Sequence, residues 1–253
     1  MAAATTQVGA VAKAARILRA FTPERRVLTV RQVADRTHLP RSTCHALCST
    51  LVEEDLLERL PGGGYRLGDS LADMGGQVIE RHGLVEAASK PMRDLSRAAS
   101  GEVHLGQLVG SYVIYLTRIE AHRDLPMRNR LGLRAPAFAT GCGKAALSCL
   151  DEEEVRSRVM TACGEEDIEV DLEALLVELA EAREQGYVVS SSFQRNRISI
   201  AAPVIGRRGV IVGGLSIARS ATSIPPEMVK RRGAAVIQAA QTVSAQLQSL
   251  GGR

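Results

Sequence analysis

The stretch "LTVRQVADRTHLPRSTCHALCSTL", Leu28 to Leu51, is followed at once by "LLERLPGGGYRL", Leu56 to Leu67. Thr29 with Gln32 three positions on matches a capping box, and Val30, Val33 and Ala34 give a helix of about two turns. Pro40 disfavours helix at Leu39 and breaks the run. A second helix is expected from Arg41 to about Asp55. Two short helices around a tight turn form a helix-turn-helix, whose second helix would be the recognition helix. "LLERL" and "YRL" then read as two short strands around a glycine turn, the wing of a winged helix-turn-helix.

Working outward, the preceding "VAKAARILRAF" places Val11, Ala14, Ala15 and Leu18 at i, i+3, i+4 and i+7, one apolar stripe of a further helix that Pro23 stops. Ser70 to about Gly83 reads as a linker helix weakened by Gly75-Gly76. "LVEAASKPMRDLSRAAS" is a helix expected to kink or restart at Pro91. Two β-rich runs, "EVHLGQLVG" and "YVIYLTRIE", suggest a hairpin. "PAFATGCGKAALSCL" reads as a loop leading into a helix, and "DEEEVRSRVM" as a helix with acids at its start. "DLEALLVELAEAREQGY" is a helix capped by Asp171 and stopped by Gly186. "YVVSSSF", "RISIAAPVI" and "VIVGGLSIA" read as strands, before a closing helix after Pro225-Pro226. The mixed order predicts an α+β fold with a largely antiparallel sheet flanked by helices in the second half. The expected divisions are 1–69 for a DNA-binding head, 70–84 for a linker helix, and 85–253 for the body.

Composition sets limits on function. The chain has 253 residues, 45% hydrophobic and 24% charged, with no Trp. No run of about eighteen apolar residues suggests a membrane span, and the start lacks the order of a secretion signal. Five widely spread cysteines argue against a disulfide framework and for a cytoplasmic setting. Residues 1–52 carry eight Lys/Arg against two acids, a net +6 out of +4 for the whole chain, so a basic head sits on a mildly acidic body. Such a head suits a polyanion.

Two short motifs invite other chemistry. Cys44, His45 and Cys48 could suggest a metal. Yet Cys44, Leu47, Cys48 and Leu51 keep the spacing of one buried stripe, and His45 lies roughly 100° round the helix from Cys44. No second cluster of matching spacing exists, so no metal and no cofactor is expected. "GCGK" resembles part of a phosphate loop, but Ala145 stands where that motif needs a hydroxyl. Cys142 has no evident base partner, so no catalytic residue is assigned.

The ordered set "AARILRAF", "LTVRQVADRTHLPRSTCHALCSTL", "LLERLPGGGYRLG", "GCGKAAL", "EAREQGYVV", "ISIAAPV" and "GGLSIA" resembles the IclR family of bacterial transcription regulators over nearly the whole chain. The resemblance implies an N-terminal winged helix, a linker helix and a C-terminal GAF-like effector domain. It also implies homodimers, often paired into tetramers, on palindromic double-stranded operator DNA, with control by a small-molecule effector. A constitutive repressor with an idle pocket is the alternative.

On this reading Arg41, Ser42, Thr43, His45, Ala46 and Ser49 face DNA, and Arg59 and Arg66 flank the wing to touch phosphate. The family often has arginine after the histidine; Ala46 offers instead an apolar contact to a thymine methyl. For the effector, the resemblance implies backbone N–H groups at Gly141 and Cys142. The opposite wall then consists of Ser190, Ser199, Ser216 and Ala218, where relatives carry an acid, a cysteine and serines. Phe138 replaces a more polar residue before the loop. Serine hydroxyls with Phe138 predict a neutral pocket and a more apolar ligand.

Overall fold

A computed structural model describes residues 8–81, 83–99, 101–119, 132–191, 197–220 and 224–250. Contacts divide the chain into two compact units, Met1–Arg81 and His82–Arg253.

The first unit holds α1 (Gly9–Arg19), α2 (Val30–Thr37), α3 (Arg41–Glu53), a hairpin of β1 (Leu57–Arg59) and β2 (Tyr65–Leu67), and α4 (Ser70–Arg81). The capping box at α2 is formed: the Gln32 N–H donates to Thr29 Oγ1 and the Thr29 N–H donates to Gln32 Oε1. α2 ends at His38, whose backbone is left-handed, and Pro40 opens α3. Leu28 bridges Tyr65, so the segment before α2 lies against β2 as a third, single-bridge edge of the hairpin. Gly68 lets the end of β2 pass the end of α3, since a Cβ there would lie 2.1 Å from the Asp55 carbonyl.

The core of this unit joins Ile17, Phe21, Leu28, Val33, Cys44, Cys48, Leu51, Leu57 and Tyr65. The buried stripe of α1 differs from expectation. Val11 is 66% exposed whereas Ile17 is fully buried. The inward face is Ala14, Ile17, Leu18 and Phe21, one turn further along. Both sets keep helical spacing, but only the second carries the bulky Ile17 and Phe21, whose burial contributes most.

The second unit contains α5 (Leu84–Ala99), β3 (Glu102–Val109), β4 (Tyr112–Ile119), β5 (Arg134–Pro136), α6 (Gly141–Leu147), α7 (Glu152–Glu166), α8 (Leu172–Gln185), β6 (Val188–Ser191), β7 (Arg197–Ile205), β8 (Ile211–Ser220) and α9 (Pro226–Leu250). The strands form one six-stranded sheet in the order β5-β4-β3-β8-β7-β6, with every pair antiparallel. The fold is therefore α+β, as the residue pattern predicted.

α5 and α9 pack together and against the sheet, whereas α6 lies on β3, β7 and β8. Pro91 does not break α5, which continues through it with Pro91 buried. β5 was not foreseen: it is three residues long at a sheet edge and includes Pro136, where proline is tolerated. α7 and α8 are capped by Asp151 and Asp171, each accepting an N–H three residues on. They enclose a second core with Tyr112, Val113, Phe138 and Leu147.

Candidate DNA-reading surface and effector site

α3 sorts its residues as the spacing requires. Cys44 and Cys48 are fully buried and Leu51 nearly so. Arg41, Ser42, His45 and Ala46 are exposed, and Thr43 and Ser49 are half-buried at the edge of that face. Among the described residues, neither Arg41 nor His45 makes an ion pair or side-chain hydrogen bond. The first turns of α3 contain no acid; Glu53, Glu54 and Asp55 gather at its far end. The first-turn N–H groups, the helix dipole and Arg41 thus present one positive end. Cys48 is a packing residue: burial, then neighbouring Cys44, push its thiol up to about 11.

The two wing arginines differ. Glu58 and Arg66 face each other across the hairpin, and both Nε and Nη2 of Arg66 lie 2.6 Å from Glu58 Oε2. Arg59 is exposed and makes no ion pair among the described residues.

In the second unit the backbone of α6 lies directly on the sheet. A Cβ at Gly214 would sit 2.3 Å from the Cys142 carbonyl oxygen, and one at Gly143 would sit 2.2 Å from that of Ala137. Lys144 Nζ binds both carboxylate oxygens of Glu178 on α8, at 2.6 and 2.8 Å, so the lysine of "GCGK" ties two helices together.

The register assembles most of the expected effector residues. One rung runs Ser190, Ser199, Ala218, Glu102 across β6, β7, β8 and β3. The next runs Val188, Ala201, Ser216, His104, Arg118. Gly141 abuts Ser199, since a Cβ added there would lie 2.5 Å from Ser199 Oγ. Cys142 Sγ lies 3.3 Å from Ser216 Oγ, and Ser199 Oγ donates to the Ser190 carbonyl at 3.3 Å. These side chains are nearly inaccessible, the Ser199 hydroxyl spent on a backbone carbonyl and the Ser216 hydroxyl on the Cys142 thiol of α6.

Phe138 departs from its expected place. It sits in a 3-10 turn, Ala137–Ala139, and packs with Val155, Val159, Leu175 and Leu179. A bulky aromatic in a chain with three Phe is drawn into the core that α7 and α8 enclose, a core that also takes in Cys142.

The expected neutral wall is also corrected. At the strand ends Arg197 binds Glu102 in an ion pair whose side chains are 10% and 9% exposed. The pair joins β7 to β3 above Ala218 of the intervening β8, and the small methyl leaves it room. His104 Nε2 lies 3.7 Å from the same carboxylate, and its buried ring meets Tyr115 edge-on at 5.7 Å. Sequence reading missed Glu102, His104 and Arg197. A signal existed for two of them: Glu102 and His104 are alternate residues on an apolar strand and so share a face. Arg197 had none. Among the described residues, no three His, Cys, Asp or Glu side chains converge to hold a metal.

Comparison with known proteins matches both units. Residues 10–61 fit the model of the IclR helix-turn-helix domain, and residues 76–245 that of the bacterial transcriptional regulator IclR C-terminal domain. The HTH-type transcriptional regulator KdgR of Escherichia coli (strain K12) is 30% identical over 250 residues, covering 95% of this chain and 93% of that protein. KipR of Bacillus subtilis (strain 168), another HTH-type transcriptional regulator, is 29% identical and covers 76% of this chain and 78% of its own. An IclR homologue from Microbacterium hydrocarbonoxydans, solved in complex with 4-hydroxybenzoate, superposes with a TM-score of 0.74 at 26% identity, covering 94% of this chain and 98% of that one.

Proposed function

The chain belongs to the IclR family of bacterial transcription regulators, and from that premise we propose how its two units share the task. It is a DNA-binding transcription regulator. The N-terminal half of α3 enters the major groove of operator DNA. Arg41 reads a guanine edge or grips a phosphate, Ser42 and Thr43 seat a phosphate at the helix start, and His45, Ala46 and Ser49 lie along base edges. Arg59 touches backbone from the wing; Arg66 does so only after release from Glu58. The single observation that carries this reading is the exposed, acid-free N-terminal half of α3, which starts at an Arg41 with no ion pair among the described residues.

The chain acts in the cytoplasm as a homodimer, or as a dimer of dimers, on a palindromic operator, with residues 70–84 linking a head of 1–69 to a body of 85–253. It represses by occupying that operator. A small molecule bound near Gly141, Cys142, Ser190, Ser199, Ser216 and Ala218 controls occupancy, and Glu102, His104 and Arg197 form the charged end of its site. The ligand must favour one dimer geometry over another to change DNA affinity. The 4-hydroxybenzoate complex of the Microbacterium homologue supports control by a small molecule. A constitutive repressor with an idle site is less favoured, since buried Glu102 and Arg197 carry a desolvation cost that an idle core would avoid. Cys142 has no enzymatic role.

Selection of duplexes from a genomic library by the full-length protein, followed by gel shift, tests the DNA reading. Arg41→Ala is expected to weaken the selected duplex about tenfold or more and to relax preference at one base pair. Unchanged affinity would remove Arg41 from the interface. Thermal melts with 4-hydroxybenzoate as the first probe test the ligand site.

A further inference from the structure

Eight basic residues crowd the first 52 positions, and the fold gives them different tasks. Arg16 lies in the last turn of α1, next to the fully buried Ile17. Its Nη1 donates to the Thr37 carbonyl oxygen at 3.3 Å, across 21 residues of chain. Thr37 is the last residue of α2, where the terminal carbonyls lack partners within the helix and the dipole is negative. A guanidinium is suited to that end, being a cation and a donor together.

The carbonyl it holds stands at the turn of the helix-turn-helix. His38 follows with φ 54 and ψ 32, a left-handed conformation that a non-glycine residue keeps only when its surroundings enforce it. α3 begins three residues further on. Thr37 itself is buried; its hydroxyl donates to the Val33 carbonyl at 2.7 Å and lies 3.7 Å from Cys44 Sγ on α3. Cys44 Sγ in turn lies 3.8 Å from the Leu39 carbonyl. Thr37 thus meets α1 through its carbonyl, while its hydroxyl meets both Val33 of its own helix and the Cys44 thiol of α3.

We propose that Arg16 is a positioning residue for DNA reading: it clamps the α2–α3 turn from α1 and sets the angle at which α3 meets the bases, without touching phosphate. The proposal rests on α3 being the helix that reads DNA. It separates Arg16 from Arg41, whose side chain has no protein partner among the described residues. It also means that the basic tally of the head overstates the charge offered to DNA.

The test uses full-length protein with two probes: a duplex that the wild type selects from a random-sequence pool, and a scrambled duplex of equal length. Binding is followed by fluorescence anisotropy over a range of salt. Arg16→Met, which keeps the stem and loses the donors, is expected to bind the selected duplex about tenfold more weakly, the loss of a charge-assisted hydrogen bond. Binding of the scrambled duplex changes by less than about twofold, with the salt slope unmoved, because no phosphate contact is lost. Arg16→Lys restores most of the selectivity, since a cation and donor return. A parallel melt shows whether Arg16→Met is folded; if it is not, the Arg16→Lys and Arg16→Gln pair decides by the same ratio of affinities. Equal weakening on both duplexes with a slope flatter by about 0.9 would make Arg16 a phosphate contact and overturn the proposal. So would unchanged affinity for both. Failure of the wild type to select any duplex would reject the DNA-reading role of α3 itself, a result distinct from either.

Discussion

Breaking the Arg197–Glu102 pair measures how far the effector domain depends on its buried charges. In Arg197→Met the Glu102 carboxylate stays in place with its side chain 9% exposed and its strongest partner gone. Removing one member of a buried pair costs about 3–5 kcal/mol, because the remaining charge is neither hydrated nor paired. The lower end applies, since the pair sits at the strand ends and keeps a tenth of its surface in water. In a domain of this size about 3 kcal/mol lowers the melting midpoint by roughly 6–12 °C. Glu102→Gln alone takes the carboxylate from the arginine and is also expected to lower the midpoint. The double variant Glu102→Gln/Arg197→Met removes both charges and is expected to melt within about 4 °C of the wild type, since losing a whole pair is close to neutral. The assay is scanning calorimetry of the full-length wild type, both singles and the double, read as a double-mutant cycle. Single variants melting within a degree of wild type, or a double as unstable as the sum of the singles, would refute the claim that these charges are buried and coupled.

Three further outcomes follow from the geometry. Arg59→Ala should flatten the slope of log affinity against log salt by about 0.9, whereas Glu58→Gln should steepen it as the freed Arg66 reaches phosphate; anisotropy titrations on one duplex measure both. Gly214→Ala forces a Cβ to 2.3 Å from the Cys142 carbonyl and should destabilise the second unit by about 2–3 kcal/mol or more, while Gly75→Ala, facing open space on α4, should stabilise its helix by up to about 1 kcal/mol in denaturant titrations. Cys48 keeps its proton to about pH 11 when folded and only to about pH 9 when unfolded, so stability is intact below pH 9 and falls as pH rises from 9 to 11; Cys48→Ala loses packing at every pH, and its melting deficit against wild type should hold steady below pH 9 and shrink between 9 and 11.

The head was legible because its signals are local. Thr29 with Gln32, Pro40 after Leu39, and Gly62 to Gly64 each specify a backbone event within a few residues. The stripe on α1 was misplaced because two sets of positions satisfy the same period, and only contact with α2 and α3 decides between them. The Glu58–Arg66 pair was within reach of hairpin register, which sums 58 with 66 as it sums 57 with 67. The effector site was harder. Ser190, Ser199, Ser216 and Ala218 entered through family resemblance, and their convergence depends on a strand order that no local pattern records. Arg197 meets Glu102 over an intervening strand, a relation between residues 95 positions apart. Phe138 entered as the replacement of a more polar residue before the loop, and its burial with Val155, Val159, Leu175 and Leu179 depends on the later helices α7 and α8.

The same strand order has a consequence for biosynthesis. β3 pairs with β8, so Glu102 and His104 acquire their neighbours Ala218 and Ser216 only after most of the chain has been made. The head, by contrast, is complete by residue 81, so its core waits for no later part of the chain. Contacts of low sequence separation form first, and domains fold in the order of synthesis. A nascent or truncated chain that ends before β8 therefore carries a finished first unit on a second unit whose sheet lacks its central pairing. Such fragments would hold a folded head without the body on which pairing and ligand sensing are proposed to depend, so faithful regulation depends on complete translation as much as on the sites themselves.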